Sequence, residues 1–411
     1  MRDRSLASVL RAGMILAVTT AYLMLCANTA WAEGFDRIVV SLGDSYSSGE
    51  GNPPFYGQDG ELTGDKRDDG DWLAHRSANS WPGQLVLDGT TLRDVRVVLG
   101  AFRRRVMSPG GWYFYASSGA VATNVYSSEQ EKKTSDLEGR RTNSTTLAIQ
   151  LEAAKKDLGD RAEDVDYVTM TIGGNDMSFS EIVTKVALHN GFVDRDYLQN
   201  ALNEVWYDYD ESLPYETPYA KLFRSHYYRK HKDGVDKDGK QVELKRSQIA
   251  TCYRRVRSAF GEDTQIIVAG YPTLMNEGKW DSYMESMGWA NSLNPLERLT
   301  NRWRLVDWEA SNVVGFADWE AHLINENVRK FNGCLESLVE AEATVNENIH
   351  YVSVLEGEHS FSGHEAYTDA SFLTGVMLVQ SEDLNLRSPI SSYSFHPNEK
   401  GLEAYRDAVQ E

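Results

Sequence analysis

VVSLGDSYSSGEGNPPF, running from Val39 to Phe55, is the stretch on which the fold turns. The apolar run Ile38–Leu42, within the expected strand Arg37–Leu42, is short and holds one small polar residue, Ser41. Such a run reads as a strand buried on both faces. It stops abruptly at Gly43-Asp44-Ser45, where a chain leaving a strand must turn. Gly, Asp and Ser are common in turns for backbone reasons alone. The tripeptide by itself therefore does not separate a nucleophilic serine from an ordinary turn.

Further strands are read at Val95–Leu99, Tyr113–Ala116, Tyr167–Ile172, Thr264–Ala269 and His350–Val354. Helical spacing of Leu, Ile, Val and Ala marks Thr145–Asp157 and Asn325–Ala343, and a final helix is read over Pro397–Val409. Strands alternating with helices predict an α/β fold. The expected architecture is three-layer α/β/α around a central parallel sheet of about five strands, flavodoxin-like. Ligands in such folds bind beyond the carboxyl ends of the strands. Gly43-Asp44-Ser45 and Gly173-Gly174-Asn175-Asp176 both fall at such ends.

One domain is expected over residues 33–411, with insertions near 52–73, 190–248 and 277–319. The second and third insertions are dense in Tyr and Trp, which more often pack a small subdomain than form a recognition platform. A lid over the site is the functional alternative.

The formal net charge of −19 disfavours nucleic acid and anionic membranes as partners. Residues 1–32 differ from the rest. Arg2, Arg4 and Arg11 precede an apolar stretch from Gly13 to Cys26, and Ala30-Trp31-Ala32 offers a small-x-small cleavage site. This layout predicts a secretory signal peptide, too short and too diluted by Thr19, Thr20 and Tyr22 for a membrane span. Its removal would leave a secreted chain with Cys252 and Cys334. Export favours one disulfide between them, worth about 4 kcal/mol in the chain-entropy model. The alternative is two separate buried thiols.

A nucleophilic serine needs a base and donors for the oxyanion. Among the histidines, His396 is the most informative: it precedes Pro397-Asn398 and the final helix. A helix-entry histidine without chemical importance is the competing reading. Order then matters. Gly43-Asp44-Ser45, Gly119 within Ser117-Ser118-Gly119-Ala120, Gly173-Gly174-Asn175-Asp176 and His396-Pro397-Asn398 follow one another along the chain. In this order they resemble the four blocks of the SGNH (GDSL) hydrolases. His75-Arg76-Ser77-Ala78-Asn79-Ser80-Trp81-Pro82 and Gly363-His364-Glu365 resemble the secreted bacterial esterase and lipase branch.

The resemblance implies roles for these residues. Ser45 would be the nucleophile and His396 the general base. The oxyanion hole would be the backbone N–H groups of Ser45 and Gly119 with the side-chain amide of Asn175. The helix after Ser45 would add its positive end. Asp44 and Asp176 would be scaffold residues holding the oxyanion loops. The family usually has Asp three residues before the histidine, and this chain has Tyr393 there. Its main-chain carbonyl would then orient His396; Asp383 or Asp369 is the alternative. The branch tends to have Cys where this chain has Ala74 and Ala366.

The expected activity is a secreted serine esterase or lipase acting through a Ser45 acyl-enzyme. Acetyl esters of carbohydrates, or a catalytically weak carbohydrate- or surface-binding protein of the same fold, are the alternatives. No cofactor, no metal and a monomer are expected. Asp236-Lys237-Asp238-Gly239 lacks the further ligands of a calcium loop and reads as a turn.

Overall fold

The structure is a computed structural model. It describes residues 35–60, 65–98, 110–135, 142–179, 181–183, 195–206, 217–228, 243–278, 318–377, 379, 383–385 and 390–411. The expected signal peptide, the stretch Asp236–Gly239 expected to turn and most of the two aromatic-rich insertions lie outside these residues.

Five parallel strands form the sheet: β1 (Ile38–Gly43), β2 (Gly111–Phe114), β3 (Tyr167–Thr171), β4 (Gln265–Ala269) and β5 (Ile349–Val352). Their order is β5-β4-β3-β1-β2. Val39 pairs with Trp112 on one side and Tyr167 on the other, so β1 is central. All six of its residues are buried, which requires cover on both faces of the sheet. The three-layer α/β/α reading therefore describes the chain. The polar residues of these strands are satisfied sideways. Trp112 Nε1 donates to Ser41 Oγ at 2.8 Å, and Ser41 meets Thr169 Oγ1 at 2.8 Å.

The helices that cover the sheet bring their apolar faces inward. The single-turn α1 (Ser45–Ser48) follows β1. On one face α2 (Ala122–Tyr126), α3 (Gln150–Leu158) and α4 (Gln248–Phe260) contact one another, and α5 (Asp318–Ala343) packs on β5. Elsewhere α6 (Glu399–Gln410) packs against the short helix Trp81–Gln84, with Trp81 stacked on Tyr405 at 6.0 Å between ring centres. Trp81, Trp112, Tyr253, Tyr405, Phe260 and Phe331 are the largest fully buried side chains. Burying side chains of this size contributes about 2–3 kcal/mol each before entropy is counted. Among the described residues no helix is long and apolar enough to cross a membrane.

Several elements differ from the sequence reading. The described part of the expected strand Val95–Leu99, residues 95–98, is not a sheet strand. A 3-10 turn spans Leu92–Val95, and Arg96 makes only an isolated parallel bridge to Trp112. The strand expected at Tyr113–Ala116 begins earlier, at Gly111. The helix expected from Thr145 begins only at Gln150, because Thr142–Leu147 pairs antiparallel with Gln130–Ser135 as a hairpin. Tertiary pairing has overridden the local spacing there. The final helix is capped by Asn398, whose side chain accepts from Gly401 N–H, so Pro397 lies before the cap rather than at its first turn. Within the 52–73 insertion, Phe55, Trp72 and Leu73 pack with Tyr393 in a small apolar cluster of their own.

The expected disulfide is absent. Cys252 and Cys334 are free thiols. Cys252 is fully buried on α4, near Asp176 and Tyr126, whereas Cys334 on α5 is half-buried beside Lys330 and Arg224. The two side chains face different surroundings.

Candidate active site

The strand order reverses at β1, and the loops leaving β1, β2 and β3 meet there. The first loop is locked before Ser45 is reached. Gly43 has φ +115°, and a Cβ at that position would lie 2.2 Å from the Thr171 carbonyl oxygen. Only glycine lets β1 approach β3 this closely while turning. Gln150 clamps the same peptide: Gly43 N–H donates to Oε1 at 2.8 Å and Nε2 donates to the Gly43 carbonyl at 2.8 Å.

Asp44 then caps α1. Its carboxylate accepts from Tyr46 N–H at 3.1 Å, from Thr171 Oγ1 at 2.7 Å and from the Tyr271 hydroxyl. Tyr271 in turn accepts from Gly174 N–H at 3.2 Å, so Asp44 ties the first loop to the third. The Tyr271 backbone is held by Asn332, which accepts from its N–H at 2.9 Å and donates to its carbonyl at 2.7 Å. Burial pushes Asp44 up from 3.8 to about 6, against the pull of the Tyr271 and Thr171 hydroxyls.

Ser45 is 7% exposed and opens α1. Ser47 is consumed by structure: its Oγ accepts from Thr171 N–H at 2.8 Å and meets Thr171 Oγ1 at 2.8 Å. The helix whose positive end was expected here is one turn, closed by Gly49 at φ 82°. A helix this short carries little macrodipole. The donors at this point are individual N–H groups instead.

The second loop is built by the His75–Pro82 stretch. Ser118 N–H donates to the Ala74 carbonyl at 2.9 Å, and Arg76 donates to the carbonyls of Ala116 and Tyr115 at 2.9 and 3.0 Å. The hairpin adds Gln130 Nε2 and the buried Lys132 ammonium, both donating to the Ser118 carbonyl. Burial lowers Lys132 from 10.5 to about 7, opposed by the nearby Glu50 charge. Gly119 follows at φ 73°, a left-handed turn suited to glycine. Among the described residues, neither the Ser45 nor the Gly119 N–H is taken by an intramolecular acceptor.

The third loop is bolted to the second. Asn175 Nδ2 donates to the Ala120 carbonyl at 3.0 Å, which fixes the amide orientation and leaves its second N–H available. Asp176 Oδ2 accepts from Ala122 N–H at 2.9 Å. Burial raises Asp176 from 3.8 to about 7.

His396 enters from the far end of the chain. Phe395 before it has φ 61°, unusual for a bulky residue and held by Phe395 N–H to the Thr374 carbonyl at 3.1 Å. Tyr46 fixes the same turn, donating to the Phe395 carbonyl at 2.9 Å, and its ring lies 5.0 Å from the imidazole. Both ring nitrogens are shielded from solvent, and neither holds a hydrogen bond of good geometry. Burial lowers the His396 pKa below 6.5; Glu50 and the backbone carbonyls of Ser394 and Ser392 oppose it. The carbonyl expected to orient the ring was that of Tyr393. That carbonyl accepts from the Thr374 hydroxyl at 2.5 Å and from the His396 backbone N–H at 3.2 Å.

These loops enclose one cavity of about 280 Å³, lined by Ser45, Gly119, Asn175 and His396. Its remaining wall includes Phe179, Val183, Leu274, Val328, Val376 and Ile390. Asp369 is not among the lining residues. Asp383 Oδ1 accepts from the Ser392 N–H at 2.9 Å and lies 2.7 Å from Ser392 Oγ, whose single proton it shares with Glu50. The sequence marked His75 only as part of a family-like block and gave no role to its partner, Glu50. Glu50 is wholly buried, with His75 Nδ1 at 2.9 and 2.8 Å from its two carboxylate oxygens. A lone acid between two glycines, Gly49-Glu50-Gly51, was the only signal for it.

Among solved structures, the chain is similar to an extracellular lipase from Streptomyces rimosus. The two share 17% identity with a TM-score of 0.47, over 91% of this chain and 98% of that one. It is also similar to phospholipase A1 from Streptomyces albidoflavus NA297, at 17% identity and a TM-score of 0.46, over the same shares of 91% and 98%. No family model and no curated protein matches the chain.

Proposed function

We propose that the protein is an exported serine hydrolase of carboxylic esters, of the SGNH type. One observation carries this reading: Ser45, Gly119, Asn175 and His396, spread over most of the chain, line a single cavity. Ser45 Oγ attacks the ester carbonyl and its proton passes to His396. Burial keeps His396 neutral at pH 7, the state a base requires. The tetrahedral oxyanion is received by the N–H groups of Ser45 and Gly119 and the free N–H of Asn175. Collapse expels the alcohol, which takes the proton from His396. Water then repeats the sequence on the acyl-enzyme.

The wall formed by Phe179, Val183, Leu274, Val328, Val376 and Ile390 favours an aliphatic acyl group over acetyl. Export rests on the layout of residues 1–32.

The test is hydrolysis of p-nitrophenyl esters from acetate to palmitate. The expected result is a preference for acyl chains longer than acetyl, with Ser45→Ala lowering kcat/KM at least about 10³-fold. Equal activity in the Ser45→Ala variant, or none in the wild type at any chain length, would overturn the reading.

A further inference from the structure

The residue three positions before His396 is not an acid, yet an acid does stand behind His396. It comes from the other end of the chain. Glu50 lies just after the turn that carries Ser45, and its N–H donates to the Ser45 carbonyl at 3.1 Å. Its carboxylate is 0% exposed. It accepts from His75 Nδ1 on both oxygens and from the Ser392 hydroxyl at 2.7 Å. Ser392 belongs to the same tight turn, residues 391–396, that ends in His396. Gly51, the next residue, would place a Cβ 3.6 Å from that of His396, so the two loops are in contact. Glu50 is thus joined to the nucleophile through its own backbone and to the base through Ser392.

We propose that Glu50 is a positioning residue that supplies, from behind Ser392, the negative charge the neighbouring sequence of His396 lacks. The proposal rests on the reading of His396 as the base. A carbonyl can fix an imidazole but cannot offset the charge it gains on protonation. A buried carboxylate in this low-dielectric pocket does so without touching the ring. When Ser45 adds to the ester, its proton sits on His396 and the imidazolium faces a standing anion.

The ionisation of Glu50 agrees with this role. Burial alone would raise its pKa. Attraction to and hydrogen bonding from His75, with smaller contributions from His396 and Ser118, outweigh burial and hold it near 2. The groups facing His396 are Glu50, His75 and the Tyr46 ring. Those facing Glu50 are His75, Lys132, His396 and, across the shared Ser392 hydroxyl, Asp383.

The experiment is the pH profile of kcat/KM on a p-nitrophenyl ester for wild type and Glu50→Gln. Removing the anion lowers the affinity of His396 for its proton. The acidic limb is expected to move down by about 0.5 pH unit or more, and the plateau kcat to fall about tenfold with KM little changed. If Glu50→Gln does not fold, two other variants carry the test. Glu50→Asp, which withdraws the charge by one methylene, is expected to move the limb the same way by less. Ser392→Ala, which keeps both charges, should leave it in place. A limb that stays put in every Glu50 variant, or one that moves with Ser392→Ala alone, overturns the proposal. Neither result touches the esterase reading, which fails only through the wild type or Ser45→Ala.

Discussion

Asp176→Asn is expected to stabilise the protein at alkaline pH and to leave it nearly unchanged at pH 4. Asp176 accepts one strong hydrogen bond, from Ala122 N–H at 2.9 Å, which an asparagine Oδ1 can also accept. What differs is the charge. Burial raises this carboxyl from 3.8 to about 7. A carboxyl whose folded pKa exceeds its unfolded value binds more protons when folded. Its contribution to stability is therefore full below about 4 and lost as pH rises toward 7. A rise of that size corresponds to about 4 kcal/mol at most. The side chain retains some solvent access, which reduces the figure to about 2 kcal/mol. At pH 8 the variant should unfold at higher urea concentration than wild type and melt about 2–3 °C higher. At pH 4 the two curves should nearly coincide. The reasoning fails if the difference between variant and wild type is the same at both pH values, or if the variant is the less stable of the two at pH 8.

Two further outcomes follow from the site. Because burial depresses His396 below 6.5, esterase activity should be retained through mildly acidic solution and be lost on a single limb centred below that value; a limb above pH 7 in a kcat/KM profile would contradict it. Gly43→Ala places a Cβ 2.2 Å from the Thr171 carbonyl oxygen in a left-handed backbone, so chemical denaturation should show a loss of about 3 kcal/mol or more.

The fold was legible because its sheet strands are short, mostly apolar runs, broken only by single polar residues such as Ser41, Thr169 and His350. Tyr167–Thr171 and Gln265–Ala269 lie almost where periodicity puts them. Of the stretch Val95–Leu99, the described residues 95–98 are also mostly apolar but meet the sheet only at the Arg96–Trp112 bridge, after the 3-10 turn at Leu92–Val95. Thr145–Leu147 shows the converse: it opens a stretch whose spacing suits a helix, yet it is strand because Gln130–Ser135 lies alongside. Side chains that contact across the site were harder to see. Ser45, Gly119, Asn175 and His396 are each marked by neighbouring residues in the chain. Glu50 and Lys132 are marked only by where folding carries them, the first beneath His396 and the second beneath Ser118. The departure at Tyr393 pointed to a substitute for the usual acid without saying from which loop it would come. The disulfide expectation followed from export alone, and packing determined where each thiol came to lie.

The paired clamps of Gln150 on Gly43 and Asn332 on Tyr271 bear on how this molecule would age. Each clamp works because a primary amide copies a peptide, offering one donor and one acceptor side by side. Hydrolytic deamidation changes one heavy atom in that group. It sets a carboxylate oxygen against the Gly43 or Tyr271 carbonyl oxygen, turning attraction into repulsion between buried lone pairs. Chemical wear at either position would loosen the turn beneath Ser45 while leaving every reacting group intact.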